Sequence, residues 1–146
     1  MIGQQVGAYR LTRALGEGGM GTVYEGVHQS LGRRAAIKVL RPEYSHNKEI
    51  LQRFFNEARA VNIVQHPSLV SIYEFGTAPT GEAYIVMEFL AGESLRSRLA
   101  RLGGKMGLAA VPIARQIANA LAATHQKQII HRDLKPDTEV AEESVA

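Results

Sequence analysis

Apolar and polar positions change their rhythm several times along this chain, and each change marks an element. Residues 9–15, 22–27 and 34–40 are short runs separated by glycine-bearing breaks. Thr22, Val23 and Tyr24 are β-branched or aromatic, which favours strand. A turn at Ser30-Leu31-Gly32 precedes the third run, and Pro42 ends the sheet-like stretch. Over residues 46–64 the period lengthens. Leu51, Phe54, Phe55, Ala58 and Val61 recur at three and four residues, the stripe of an amphipathic helix. Pro67 closes it. Two further strands are predicted at 69–75 and 83–90, joined by the hairpin connection Gly76-Thr77-Ala78-Pro79-Thr80-Gly81. A short helix over 94–102 is broken by Gly103-Gly104. A longer one over 112–125 starts on Pro112, a residue suited to a first helical turn. Ala114, Ile117, Ala118, Leu121 and Ala122 line one broad apolar face of it. Three strands, a helix, two strands and then helices make an α+β chain, an antiparallel sheet followed by a helical region. Residues 139–146 carry three glutamates and read as a solvated helix end or disorder. No internal repeat is found.

Composition narrows the classes. A chain of 146 residues argues for one domain. Its 45% apolar and 21% charged content is ordinary for a globular protein. The absence of cysteine rules out disulfides and thiolate metal sites, and suits a reducing, cytoplasmic setting. The formal charge of +3 is spread out, with only pairs such as Arg33-Arg34, so no nucleic-acid patch is expected. No apolar run is long enough for a membrane segment, and Met1 to Val6 does not read as a secretory signal.

The candidate chemistry begins at Gly16-Glu17-Gly18-Gly19-Met20-Gly21-Thr22-Val23, a G-x-G-x-x-G-x-V pattern. Alone, such a pattern is also what a ligand-free glycine hairpin looks like. A dinucleotide fingerprint needs a helix directly after the glycines, and here a strand follows. A Walker loop needs Gly-Lys-Ser/Thr, which is absent. A strand–loop–strand with three glycines instead lays bare backbone N–H groups over phosphates, with no Cβ to hold them off. Lys38 follows in Ala35-Ala36-Ile37-Lys38, flanked by apolar residues, where an amine wants an anion. Glu57 falls between Phe54 and Val61 on the helix stripe, where a bare carboxylate is costly. The two are best read as partners, although an exposed helix glutamate is the plainer reading of Glu57 alone. Further on comes His131-Arg132-Asp133-Leu134-Lys135-Pro136.

Taken together these motifs resemble a eukaryotic-type serine/threonine protein kinase of the sort bacteria carry, over roughly residues 8–137. The resemblance implies a kinase-like upper lobe at 8–90, a five-stranded antiparallel sheet plus one helix. A hinge at 88–92 and the first helices of an incomplete lower lobe at 93–137 follow, then a divergent acidic tail at 138–146. It implies ATP as ligand, with Gly16, Glu17, Gly18, Gly19, Met20 and Gly21 over the phosphates. Val23 and Ala36 would roof the adenine, and Met87 would limit the back pocket. Glu88 and Leu90 would offer hinge backbone to the base, and Glu93 would meet the ribose. Lys38 would hold the phosphates and Glu57 would hold Lys38. Val61, Ile72 and His131 match members of the spine that joins the lobes. Asp133 matches the catalytic base and Lys135 the lysine near the γ-phosphate.

The departures also matter. The family pattern H-R-D-x-x-x-x-N puts an asparagine five residues after Asp133, and that position is Thr138. A threonine hydroxyl is a poor magnesium ligand. Glu139-Val140-Ala141-Glu142 stands where the next strand of the family would supply the floor of the adenine pocket, and the sequence contains no Asp-Phe-Gly. Magnesium is expected for the family, yet no metal ligand can be assigned here. The expectation is therefore an ATP-binding serine/threonine kinase present as a truncated domain, with little or no transfer activity alone. Its partners would be ATP and a protein substrate or partner kinase. The alternative is a non-catalytic module that binds nucleotide or docks on another kinase.

Overall fold

A computed structural model describes residues 1–130, 134 and 140–141 of the chain. They fall into two units, Met1–Ile63 with Val70–Phe89, and Val64–Leu69 with Leu90–Ala146.

The first unit is built on an antiparallel sheet. Its strands are β1 (Gln5–Val6), β2 (Tyr9–Glu17), β3 (Gly21–His28), β4 (Arg34–Leu40), β5 (Ile72–Thr77) and β6 (Ala83–Glu88), in the spatial order β1-β2-β3-β4-β6-β5. The expected five strands are therefore joined by a sixth at the edge, two residues long. That strand is too short to show periodicity; it is held by pairing of Val6 with Tyr9 and Gln5 with Arg10. β5 starts three residues later than expected. The turn after Pro67, in which the Leu69 N–H donates to the His66 carbonyl at 3.0 Å, takes up the difference.

Each face of the sheet has its own core. On one face Tyr9, Leu11, Ile37, Val39, Tyr84 and Val86 are buried together. Gly26 makes room for Ile37, since a Cβ there would lie 2.4 Å from the Ile37 Cδ1 atom. On the other face Leu40, Ala83 and Ile85 pack with Phe54 and Ala58. Those two belong to α2 (Lys48–Ile63), which follows the single turn α1 (Pro42–Ser45). Pro42, read from sequence only as the end of the sheet, is thus the first residue of a helical turn, a position that needs no N–H. Asn47 starts α2 by accepting the N–H groups of Glu49 and Ile50 at 3.0 and 3.2 Å. The Ser45 hydroxyl accepts the buried N–H of Ala83 at 3.1 Å, tying α1 to β6.

The second unit holds β7 (Glu93–Ser94), α3 (Leu95–Arg101) and α4 (Ala110–Gln126). Ser94 caps α3 by accepting the Ser97 N–H at 3.1 Å. Gly103 and Gly104 end it at positive φ. Val140–Ala141, placed by sequence in a helix end or disorder, form β8 and pair antiparallel with β7. A two-residue β-capable segment inside an acidic tail pairs where a partner edge is available, which composition alone does not reveal.

Candidate functional site

The strand registers gather most of the predicted residues on one face. Val23 lies opposite Lys38, and Lys38 opposite Ile85. Two residues along, Glu25 lies opposite Ala36, and Ala36 opposite Met87. Directly paired residues point to the same side of a sheet, so Val23, Ala36, Lys38 and Met87 share the face that packs against α2. Ala36 is buried, and Val23, Lys38 and Met87 are half-buried.

The glycine loop closes one end of this face. Gly16 pairs with Val23 and Glu17 with Thr22, and the Gly18 N–H donates to the Gly21 carbonyl at 2.8 Å. Gly16, Glu17, Gly18, Gly19 and Met20 are exposed. Gly21 alone is packed tightly: a Cβ there would fall 2.1 Å from the Val39 carbonyl oxygen. Its glycine is therefore required by the fold, while those at 16 and 19 leave open space where a ligand could approach the backbone. Sequence reasoning missed what anchors the loop. The Arg41 Nη2 donates to the Glu17 carboxylate and to the Gly18 carbonyl, both at 3.2 Å, and its backbone N–H donates to the Met20 carbonyl at 2.9 Å.

The Lys38–Glu57 pair expected from sequence is not among the ion pairs of the described residues. Glu57 is exposed, and no ion pair joins it to Lys38. The Lys38 Nζ instead lies 5.8 Å from the centroid of the Phe54 ring. The reason is rotational: Phe54 and Ala58, four apart, take the centre of the buried stripe of α2, and Glu57 falls on its rim. Lys38 keeps its cation half-buried beside an aromatic face with no carboxylate among the described residues to neutralise it.

Glu88 ends β6 with its N–H donating to the Ser71 carbonyl at 2.9 Å, while its carboxylate accepts the Ser71 N–H at 3.3 Å. Leu90 and Glu93 belong to the second unit. Glu93 is already engaged there, accepting from Arg101 at 2.5 Å and Arg98 at 3.3 Å. These guanidiniums, Arg101 foremost, hold its carboxyl below the usual carboxylate range. Asp133, Lys135 and His131 lie outside the described residues.

A second cluster that no motif announces sits beside Ala36. Glu25 is 7% exposed and accepts from both Arg34, at 2.6 Å, and Arg13, at 2.5 Å. The Arg34 hydrogen bond lowers its pKa most; burial opposes that, and Arg13 adds to the lowering. Alternating charge along three strands could have hinted at it only once the registers were known. A small pocket beside Met1, Thr22, Tyr24 and Val39 also takes in Leu40 and Arg41, and Lys38 does not line it.

Residues 9–139 match the protein kinase domain family. The serine/threonine-protein kinase Pkn1 of Myxococcus xanthus is 44% identical over 138 residues, 94% of this chain and 19% of that protein. PrkC of Bacillus subtilis, also a serine/threonine-protein kinase, is 39% identical over 137 residues, 93% of this chain and 21% of that one. Among solved structures, the PknI kinase domain of Mycobacterium tuberculosis superposes with a TM-score of 0.80 at 28% identity, covering 97% of this chain and 58% of that chain. The chain thus spans about a fifth of the length of these two curated relatives.

Proposed function

The chain belongs to the protein kinase domain family, and we propose that it binds ATP on the Val23–Lys38 face beneath its glycine loop. The observation that carries this reading is the half-buried Lys38, opposite Val23 and within the apolar rows of Ala36 and Ile85, with no carboxylate partner among the described residues. A cation so placed attracts an anion, and the exposed N–H groups of the neighbouring loop can receive phosphate oxygens. Val23 and Ala36 offer an apolar surface for a base, and Met87 bounds it. The backbone of Glu88 would bond that base; for Leu90 and Glu93 only the likeness to the family suggests a base or ribose contact, and Glu93 is engaged by Arg101 and Arg98.

For the family's reaction, transfer of a phosphoryl group to a serine or threonine of a protein, Asp133 would accept the hydroxyl proton and Lys135 would neutralise the group in flight. Magnesium does not fit as well. Among the described residues no three His, Asp or Glu side chains converge, and Thr138 offers one neutral hydroxyl where an amide oxygen is needed. We expect the chain to bind nucleotide and to transfer phosphate poorly. That Thr138 favours the second reading, a non-catalytic nucleotide-binding or kinase-docking module.

A thermal melt with ATP in EDTA, beside Lys38→Met, tests the binding. A ligand at 100 times its Kd stabilises by about 2.7 kcal/mol. We expect a rise of that order in the unaltered chain and little in the variant; equal melts with and without ATP contradict the proposal. Phosphate incorporation into a protein that Asp133→Asn abolishes would instead show a competent kinase.

A further inference from the structure

The face that carries Val23, Lys38, Ala36 and Met87 continues past Ala36. The β3–β4 register places Val27 opposite Arg34. The β4–β6 register pairs Ala36 with Met87 and Ala35 with Glu88, so Phe89 falls in step with Arg34 one residue on. The contact is made: the Arg34 guanidinium carbon lies 4.0 Å from the centroid of the Phe89 ring. On its other side the Arg34 Nε donates to Glu25 Oε1 at 2.6 Å, and the second oxygen of Glu25 accepts from the Arg13 Nε at 2.5 Å. Arg13, Glu25, Arg34 and Phe89 thus form one chain of contacts. It runs across β2, β3 and β4 to the residue that follows β6.

This chain differs from an ordinary surface pair. Exposed ion pairs contribute little because water competes for both partners. Here the Glu25 side chain is 9% exposed while Arg13 and Arg34 remain 59% and 52% exposed. The carboxylate is covered by its own partners, so losing one leaves a buried anion half-satisfied. The guanidinium plane of Arg34 is fixed by a hydrogen bond at its edge and an aromatic ring on its face, a geometry that lysine cannot reproduce.

We propose that Arg34 is a positioning residue for the base end of the nucleotide face: anchored by Glu25 and Arg13, it fixes Phe89 and with it the backbone leading out of Met87 and Glu88. The inference rests on the reading of that face as a nucleotide site. It assigns a function to three charged residues that neither the glycine loop nor Lys38 explains.

Affinities of adenosine and of ATP, both measured in EDTA, separate this role from others. Arg34→Ala is expected to weaken both ligands by the same factor, about tenfold, and Arg34→Lys to share most of that loss despite keeping the charge. Lys38→Met is expected to weaken ATP alone. Should Arg34→Ala lower the melting temperature while leaving adenosine affinity unchanged, the network is only a brace of the sheet. A loss confined to ATP would make Arg34 a long-range attractor of phosphate. Either result overturns the proposal. If Arg34→Ala does not fold, Phe89→Leu keeps the ion network and removes the ring, and the same loss for adenosine is expected. If the unaltered chain binds neither ligand, the nucleotide reading has failed, and hydrogen exchange still decides the positioning. The Phe89 amide should then exchange at least about tenfold faster in Arg34→Ala while the Ile37 amide is unchanged, and equal rates at Phe89 reject the claim.

Discussion

The sheet unit and the helical unit of this chain bury their apolar residues to different extents. In the first, Leu11, Ile37, Leu40 and Val86 are at most 1% exposed, and each face of the sheet carries a buried cluster. In the second, Leu108 is 88% exposed, Val111 50% and Ile130 65%. Among the described residues of α4, only Ala120 and Thr124 are buried. The candidate phosphate and base contacts fall mostly in the unit with the built core. The contrast teaches that a candidate binding face lies where the packing is complete, while the described helices of the second unit bury little.

The sharpest way to break this contrast is to cut one side chain in each unit. Ile37→Ala should cost about 2–5 kcal/mol, the range for large-to-small changes in a core, and Leu108→Ala should stay within about 0.5 kcal/mol. Denaturant unfolding of both variants checks this, and equal losses would erase the distinction. A smaller effect is expected at the glycine loop. Gly21→Ala drives a Cβ into the Val39 carbonyl, and such overpacking costs about 1–3 kcal/mol. The same change at Gly19, which has open space around it, should leave the melt alone. Ser94→Ala removes the cap of α3 and should cost that helix about 1 kcal/mol. The loss should appear as faster hydrogen exchange in residues 95–101, without a change in β4.

The smallest effect at neutral pH concerns acid. The Glu25 carboxyl is held below its ordinary value of 4.5, first by Arg34. Its stabilisation is therefore full above that ordinary value and drains away as pH falls through the lowered folded value. Acid unfolding of the sheet unit should steepen below about pH 4.5. Glu25→Gln should lose that added acid dependence, having already lost the ion network at pH 7. An identical acid profile in the variant would show that Glu25 contributes nothing.

Much of the fold was legible because its signals are local. The runs around Val23 and Ile37, the three–four spacing of Leu51, Phe54 and Ala58, and the breaks at Gly103-Gly104 each speak within a few residues. The order of strands, helix, strands and helices followed from them. What sequence did not disclose depends on pairing across distance. The stripe of α2 suggested an inward Glu57, but the rotation of a helix on its sheet is settled by which side chains win the centre, and Phe54 and Ala58 did. Arg34 meets Phe89 beside a ladder that pairs Ala35 with Glu88, about 53 residues apart, which no local pattern encodes. β1 and β8 are two residues each, too short to carry a period. Motif spacing located Lys38 and the glycines, while Arg41, which braces the loop, and Arg13 and Arg34, which hold Glu25, follow no motif at all.

Hydrogen exchange of the chain with and without ATP, in EDTA, bears most directly on the claim that the nucleotide face is built into the sheet unit and works without metal. Slower exchange is expected on adding ATP at Gly18 to Thr22 and along β4 around Lys38, with α4 unchanged. Exchange that is the same at those positions with and without ATP, or that slows only in α3 and α4, would contradict it.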